Sequence, residues 1–272
     1  MKKILAFFIL FSFSSNLIGQ DYLKKLFKKN NDSIPYRILL PKNFSPNKEY
    51  PLLIFLHGAG ERGNDNENQL YHGSNFFLSY DFRNTYPSII VFPQCPKNSY
   101  WAKIKGVPNP KYPTEKESFS NSLPNNPQLL IVESLLFDLE KKYKINPDKR
   151  FIAGLSMGGM GTFELIARNP NYFTAGIAIC GGANLKWSKF FKNTPLWIFH
   201  GMEDNVVPPE LSITMFDVIK AYNSKSKLTL YENVGHNSWD PALKEPDLMS
   251  WLFSNKKIIH VKKPAKTLAA FY

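Results

Sequence analysis

The chain has 272 residues, of which 43% are hydrophobic and 15% aromatic. That length buries one full core and is too short for two ordinary domains by default, and the aromatic content excludes global disorder. The formal net charge is +12, but residues 1–34 and 255–272 together carry +9 of it. The body of the chain is nearly neutral, so a basic face for binding nucleic acid is not supported.

The N-terminus has the pattern of an export signal. Lys2 and Lys3 precede an apolar run at residues 4–13, and small or polar residues follow up to Gln20. This pattern predicts a secretory signal peptide over residues 1–20; the alternative is a buried N-terminal helix, but the apolar residues are continuous rather than periodic. No later segment approaches the ~20 apolar residues of a membrane helix. We expect a secreted or periplasmic protein without an integral membrane segment.

Strand and helix patterns alternate along the rest of the chain. Apolar runs at residues 51–56 and 88–92 are typical of strands buried on both faces. The other predicted strands lie at residues 35–41, 150–154, 175–180, 196–199 and 228–231, and the predicted helices at 128–143, 158–168, 209–222 and 247–253. This alternation predicts an α/β fold, with a mostly parallel twisted sheet and helices on both faces. We expect one domain over residues 21–254, followed by a basic C-terminal tail at 255–272.

One stretch interrupts the alternation. Residues 102–126 are rich in proline, lysine, asparagine and serine, which predicts a long loop between a strand and a helix. Loops of that length in compact domains tend to be lids or binding loops. A mobile surface insertion is the alternative.

A candidate nucleophile lies where a strand is predicted to turn into a helix. Residues 154–158 read Gly-Leu-Ser-Met-Gly, directly after a buried strand pattern and at the start of a helical one. Small residues allow the sharp turn that lifts a serine side chain above a sheet. Ser156 is therefore the candidate nucleophile.

A reactive serine requires an imidazole to take its proton and a carboxylate to orient that imidazole. His236 lies in the loop after the last predicted strand, and Asp204 follows the strand before it, with Glu203 as its close competitor. The chain order Ser, Asp, His is the order that this architecture requires.

Acyl transfer also requires backbone donors for the negative oxygen that develops in the intermediate. The small-residue segment at residues 57–60 follows a predicted strand and can bring a peptide N–H close to the nucleophile. We predict that the N–H groups of Ala59 and Met157 form the oxyanion hole. An ordinary strand-ending turn is the alternative for His57 and Gly58.

Together these blocks resemble the α/β-hydrolase superfamily. More narrowly, they are similar to the secreted bacterial esterases and predicted peptidases that neighbour dienelactone hydrolases, polyhydroxybutyrate depolymerases and feruloyl esterases. The matching motifs are HGAGERG at 57–63, PQCP at 93–96, GLSMGG at 154–159, HG at 200–201 with Asp204, and GHNSWD at 235–240. The resemblance covers about residues 35–254 and implies the α/β-hydrolase fold and a triad of Ser156, Asp204 and His236.

Three further residues are candidates for substrate binding. Trp101 and Trp239 offer flat aromatic faces that suit aryl groups and sugar rings, with buried packing as the alternative. Arg62, next to Glu61, is placed to orient a substrate carboxylate or sugar. The alternative for Arg62 and Glu61 is an ion pair that holds the loop.

No cofactor or metal is expected. His72, His200 and His260 lack the spacing of a ligand cluster, and we expect His200 to be a satisfied residue at a strand end. Cys95 and Cys180 are expected to be free thiols rather than a disulfide, since they follow different strands.

The chemistry indicated is hydrolysis of carboxylic esters through an acyl-enzyme, and we expect esters that decorate carbohydrates, such as acetyl or feruloyl groups. One alternative is a serine peptidase of the prolyl-oligopeptidase type, although the chain has no length for the propeller domain of those enzymes. Another is a non-catalytic binding protein on the same scaffold. Docking of the basic tails to nucleic acid or anionic surfaces is a further alternative.

Overall fold

The structure is a computed structural model and describes residues 21–103, 119–120, 122–123 and 125–257. The predicted signal peptide, most of the predicted loop at residues 102–126, most of the basic tail and His260 lie outside the described residues. These predictions therefore stay predictions.

Eight strands form one sheet. They are β1 (Leu23–Lys29), β2 (Asp32–Leu39), β3 (Tyr50–Leu56), β4 (Ile89–Pro93), β5 (Ile145–Leu155), β6 (Ala175–Ile179), β7 (Leu196–Gly201) and β8 (Lys227–Tyr231). Their order in the sheet is β1-β2-β4-β3-β5-β6-β7-β8. The β1–β2 and β2–β4 pairs are antiparallel, and all pairs from β4 to β8 are parallel. The predicted, mostly parallel sheet is confirmed.

Seven α-helices connect or cover the strands in the described part of the chain. They are α1 (Ser74–Leu78), α2 (Tyr80–Thr85), α3 (Pro127–Lys142), α4 (Met157–Arg168), α5 (Glu210–Lys220), α6 (Trp239–Ala242) and α7 (Leu248–Ser254). Short 3-10 helices lie at Ala59–Glu61, Asn68–Leu70 and Leu185–Phe191. Within the residues described, none of the helices has the length and apolar character needed to span a bilayer.

Both faces of the sheet are covered, as the continuous apolar strands require. Alternate side chains of a strand point to opposite faces. In β3, Leu52 and Ile54 belong to one apolar cluster, which includes residues of α3, α4 and α5. Leu53 and Phe55 belong to a second cluster, which includes residues of α1, α2 and α7. The helices thus form a layer on each side of the sheet.

The strand β1 was not predicted. Its sequence, LKKLFKK, has four lysines and no buried residue, and among the strands of the described chain it pairs with β2 alone, at the edge of the sheet. Lysines on an edge strand oppose pairing with a second sheet. Part of the charge attributed to a basic N-terminal end therefore lies on the sheet itself.

The site is positioned by parallel strands whose carboxyl ends meet at one edge of the sheet. Residues 57–61 follow β3, Ser156 follows β5, Asp204 follows β7 and His236 follows β8. Ligands and reacting groups in open α/β sheets collect at this edge.

Candidate active site

Ser156 occupies a strained turn between β5 and α4. Its φ and ψ are 53° and −118°, a conformation that non-glycine residues rarely adopt. The backbone N–H of Ser156 donates to the carbonyl of Ile179 at 2.8 Å, which ties the turn to the end of β6. The predicted strand–serine–helix arrangement is present.

Close backbone contacts explain the two glycines of the serine motif. A Cβ added at Gly158 would lie 1.9 Å from the carbonyl oxygen of Leu56, and one added at Gly154 would lie 2.2 Å from the carbonyl oxygen of Gly158. Both positions therefore exclude a side chain. The start of α4 packs directly against the end of β3, which brings Ser156 next to the loop after β3.

The three predicted reactive side chains meet at this edge of the sheet. His236 Nε2 lies 2.9 Å from Ser156 Oγ, and His236 Nδ1 lies 2.7 Å from Asp204 Oδ2. A carboxylate only accepts, so Nδ1 carries the proton and Nε2 accepts from the serine hydroxyl. This arrangement can take a proton from Ser156 and hold the imidazolium that results.

Asp204 is fixed by four donors. Its Oδ1 accepts the backbone N–H groups of Val206 and Val207 at 2.8 and 2.9 Å, and its Oδ2 faces His236 and His200. Burial alone would raise the pKa of Asp204, but the bonds from His200, His236 and the two N–H groups together hold it well below its usual value. Asp204 is therefore a carboxylate that stays ionised.

Glu203, the predicted competitor of Asp204, is exposed. Its backbone N–H donates to the carbonyl of Val234 at 2.9 Å. In this structure Asp204 is the carboxylate that contacts His236.

His200 is a satisfied residue at a strand end, as expected, and it also contacts Asp204, which was not predicted. Its side chain is fully buried; Nε2 lies 2.9 Å from the carbonyl of Val207 and 3.2 Å from Asp204 Oδ2. Its Nδ1 lies 2.6 Å from Ser212 Oγ, and that hydroxyl donates to the carbonyl of Gly181 at 2.8 Å. No sequence signal marks this contact, since a four-residue spacing brings side chains together on a helix, whereas His200 is in β7 and Asp204 is in the loop after it.

The two predicted oxyanion donors share one structural feature. Ala59 is the first residue of the 3-10 helix Ala59–Glu61, and Met157 is the first residue of α4. The N–H group at the first position of a helix has no acceptor within that helix. A Cβ added at Gly58 would lie 3.7 Å from Ser156 Cβ, so the segment that begins with Ala59 borders Ser156.

His57 holds the loop after β3. Its Nε2 accepts the backbone N–H of Cys95 at 2.9 Å, so Nδ1 carries the proton and donates to the carbonyl of Gly58 at 2.6 Å. Burial lowers the pKa of His57 to about 4, so the imidazole is neutral at pH 7. These bonds fix the peptide that precedes Ala59.

Arg62 and Glu61 do not pair with each other in this structure. Arg62 donates through Nε to the carbonyl of Ala59 at 2.9 Å and through Nη1 to the carbonyl of Ser99 at 3.1 Å. Glu61 Oε1 instead faces His72 Nε2 at 3.8 Å, and burial raises the pKa of Glu61. The ion pair expected as the alternative is therefore absent, and Arg62 holds the loop through bonds to the carbonyls of Ala59 and Ser99. Binding of substrate by Arg62 stays a prediction.

The two tryptophans have different environments. Trp101 has no exposed surface, and its Nε1 donates to the carbonyl of His57 at 3.1 Å. The prediction that Trp101 lines the pocket is corrected, since a fully buried ring packs in the core. Trp239 is half-buried, and its ring centroid is 5.4 Å from that of His236. It borders the imidazole of His236, and its contact with substrate stays a prediction.

Neither cysteine forms a disulfide, and both are buried. Cys180, Asp204 and His236 place possible metal-ligand atoms within 4.8 Å of one another. This set suits a metal poorly: both His236 nitrogens face Asp204 and Ser156, and burial raises the pKa of the Cys180 thiol. The cluster is accounted for by the Ser156–His236–Asp204 arrangement.

Comparison with known proteins gives a family match and several relatives. The family model described as phospholipase/carboxylesterase matches residues 44–246. The chain is 25% identical over 217 residues to "Probable carboxylesterase SOBER1-like" of Arabidopsis thaliana, a match that covers 74% of this chain and 77% of that protein.

Two further matches come from larger proteins. The chain is 25% identical over 171 residues to the "Bifunctional acetylxylan esterase/xylanase XynS20E" of Neocallimastix patriciarum, covering 62% of this chain and 21% of that protein. It is 34% identical to a thermostable esterase of known crystal structure, with a TM-score of 0.78 over 89% of this chain and 64% of that one. The chain thus spans a fifth of the first protein and less than two thirds of the second.

Proposed function

Since the chain belongs to the phospholipase/carboxylesterase family, a family of carboxylic ester hydrolases with the α/β-hydrolase fold, we propose that it is an exported serine esterase. The observation that carries this proposal is the chain of contacts from Ser156 Oγ through His236 to Asp204, at 2.9 and 2.7 Å. Export rests on the signal-peptide pattern of residues 1–20.

The first half of the reaction forms an acyl-enzyme. Ser156 Oγ attacks the ester carbonyl carbon while its proton passes to His236 Nε2, and Asp204 stabilises the imidazolium. The negative oxygen of the tetrahedral intermediate accepts from the N–H groups of Ala59 and Met157. When the intermediate collapses, the carbon–oxygen bond to the alcohol breaks, and the leaving oxygen takes the proton from His236 Nε2.

The second half returns the enzyme to its starting state. A water molecule attacks the acyl carbon and gives its proton to His236 Nε2. Collapse of the second intermediate breaks the bond to Ser156 Oγ, which recovers the proton, and the carboxylic acid leaves. Each proton that enters or leaves the reacting groups passes through His236 Nε2.

The proposed substrates are carboxylic esters that decorate carbohydrates, such as acetyl or feruloyl esters. Two observations support this class: the printed activity of the acetylxylan esterase/xylanase relative and the half-buried Trp239 beside His236. Aromatic faces of this kind suit both aryl groups and sugar rings.

Replacement of the nucleophile tests the chemistry. We expect Ser156→Ala to abolish hydrolysis of a short acyl nitrophenyl ester while the thermal unfolding transition is retained. Ser250→Ala, which removes an exposed hydroxyl on α7, is the matched control and should keep wild-type turnover. Undiminished turnover by Ser156→Ala would reject the proposal.

A substrate panel tests the substrate class. Acetylated xylan, methyl ferulate, nitrophenyl acyl esters and proline-containing peptides are compared side by side with the wild-type chain. We expect the sugar esters to give the highest kcat/KM. Cleavage of the peptides in preference to every ester would reject the esterase in favour of a serine peptidase.

A further inference from the structure

A row of four rings leads from the reactive imidazole to the protein surface. The ring centroids of His236 and Trp239 are 5.4 Å apart, those of Trp239 and His72 are 4.8 Å apart, and those of His72 and Tyr71 are 4.8 Å apart. The row ends in solvent: the side chains of His236 and His72 are 19% and 24% exposed and Trp239 is half-buried, whereas Tyr71 is 78% exposed. The three rings beyond His236, those of Trp239, His72 and Tyr71, are called the ring row below.

The ring row is held by the fold on both sides. Trp239 begins α6 directly after the buried Ser238. Tyr71 and His72 directly follow the 3-10 helix Asn68–Leu70, whose Gln69 and Leu70 are buried. The backbone at each end of the row therefore directly follows buried residues.

His72 also links the ring row to the loop that carries the proposed oxyanion donor. His72 Nε2 lies 3.8 Å from Glu61 Oε1, and Glu61 ends the 3-10 helix that begins with Ala59. Trp239 and His72 therefore connect the imidazole of His236 to the 3-10 helix that begins with Ala59, along one border of the site.

The reaction places the alcohol part of an ester next to this border. In the proposed mechanism His236 Nε2 gives its proton to the leaving oxygen, so that oxygen lies beside the imidazole when the bond breaks. The ring row starts at the same imidazole, so an alcohol that extends outward from the leaving oxygen on that side meets Trp239 first. The acyl carbonyl oxygen is instead directed to Ala59 and Met157.

The exposure of the rings indicates the chemistry of that alcohol. A small apolar group is bound in a pocket that encloses most of its surface, whereas Tyr71 is an open ring with a hydroxyl at its edge. A sugar ring has apolar C–H faces that pack on aromatic rings and hydroxyl edges that stay in water. We infer that Trp239, His72 and Tyr71 form a subsite for the sugar ring of the alcohol that the reaction releases. This inference rests on the proposed function.

Kinetics with matched esters test the subsite. We expect Tyr71→Ala to lower kcat/KM for acetylated xylo-oligosaccharides roughly three- to tenfold, mainly through KM, because one stacking contact is lost. The same variant should leave kcat/KM unchanged within twofold for ethyl acetate, whose alcohol does not reach Tyr71. Tyr80→Ala removes a tyrosine that is 74% exposed on α2 and is the matched control, with no effect on either ester.

Two other esters separate the sugar from an aromatic ligand. Methyl ferulate has its ring in the acyl part, and phenyl acetate has its ring in the alcohol part. A loss with Tyr71→Ala on methyl ferulate, or an equal loss on phenyl acetate and the sugar ester, would overturn the assignment to a sugar. An unchanged kcat/KM for the sugar ester would overturn the subsite itself.

A binding measurement distinguishes failure of the subsite from failure of the proposed function. The Ser156→Ala chain is titrated calorimetrically with acetylated xylohexaose, with and without Tyr71→Ala. Weaker binding with Tyr71→Ala supports the subsite even when turnover is absent. Equal affinity of the two variants, or no binding while ethyl acetate is hydrolysed by the wild type, overturns the subsite and leaves the esterase chemistry standing.

Discussion

His200 and His236 contact the same carboxylate oxygen of Asp204, at 3.2 and 2.7 Å. His236 turns its other nitrogen to Ser156, whereas His200 turns its other nitrogen to Ser212, whose hydroxyl donates to a backbone carbonyl. The orientation of Asp204 is therefore set from two sides. Through this shared carboxylate, His200 supports the position of His236, the histidine that contacts Ser156.

Removal of the second imidazole tests this support. We expect His200→Phe, which keeps the bulk and loses the bonds, to lower kcat roughly ten- to 150-fold at unchanged KM, since a hydrogen bond to a charged group is worth about 1.5–3 kcal/mol. His200→Gln restores a donor and should recover part of the loss. Steady-state kinetics at matched folded fraction, verified by thermal unfolding, make the comparison.

Two outcomes would count against a positioning role for His200. One is wild-type kcat in folded His200→Phe. The other is an equal loss in His200→Gln and His200→Phe, which would indicate a packing role alone.

The carboxylate role is tested by an adjacent pair of residues. We expect Asp204→Asn to lower kcat on the order of 10⁴-fold, because an amide that donates to Nδ1 favours the wrong tautomer of His236. Glu203→Gln, the neighbouring exposed acid, should keep kcat within twofold. Turnover of a nitrophenyl ester measures both variants, and the reverse ranking would assign the role to Glu203.

Most of the sheet is predictable from the sequence because buried parallel strands are continuous apolar runs. The predicted strand at 51–56 differs from β3 by one residue at its start, and the predicted strand at 88–92 differs from β4 by one residue at each end. β1 was not predicted because an exposed edge strand needs no apolar face, and its lysines resemble those of a solvated tail. α1 and α2 were not predicted because helices of five and six residues contain less than two turns, too few to show a helical repeat of apolar residues.

The close approach of β3 and α4 gives a prediction at Gly158. A methyl group there would meet the carbonyl oxygen of Leu56 at 1.9 Å. We expect Gly158→Ala to lower the free energy of unfolding by about 3 kcal/mol and to remove activity, because the backbone around Ser156 must move. Chemical denaturation and ester turnover measure the two effects.

Gly60 provides the matched control for that substitution. A Cβ added at Gly60 meets no atom within 4 Å, so Gly60→Ala should change the unfolding free energy by no more than about 0.5 kcal/mol. Equal stability of the Gly158→Ala and Gly60→Ala chains would disprove the close contact.

The buried His57 predicts a pH dependence of stability. Its pKa is lowered from 6.5 to about 4, so between these values the unfolded chain binds a proton that the folded chain does not. Acidification from pH 7 to pH 4 therefore costs about 3 kcal/mol of unfolding free energy through this residue. His57→Gln retains an acceptor and a donor for the neighbouring backbone groups but cannot titrate.

The wild type and His57→Gln are compared by the unfolding free energy that each loses on acidification. Other groups that titrate in this range, such as Glu61 and Glu164, whose pKa values are raised by burial, contribute equally to both, so the difference reports on His57. Denaturant unfolding from pH 7 to pH 4 should show a smaller loss of stability for His57→Gln than for the wild type. Parallel curves for the two chains would contradict a buried neutral imidazole at this position.

The order of motifs along the chain was enough to predict which side chains meet at the site, because the carboxyl ends of parallel strands share one edge. The surroundings of those side chains were not predictable to the same degree. Trp239 lies three residues after His236 in the sequence and borders it in the structure, whereas nothing in the sequence separates Trp101 from a pocket residue, and the fold places it in the core. His72 approaches Trp239 across a gap of more than 160 residues, and no motif marks that contact.

Covalent trapping of the nucleophile tests the central claim most directly. The wild-type chain is incubated with a fluorophosphonate, which bonds to activated serines, and the modified peptide is identified by mass spectrometry. The account predicts a single adduct on Ser156, strongly reduced by His236→Ala and absent from Ser156→Ala. An adduct on another residue in the wild type, or none in a chain that hydrolyses esters, would contradict it.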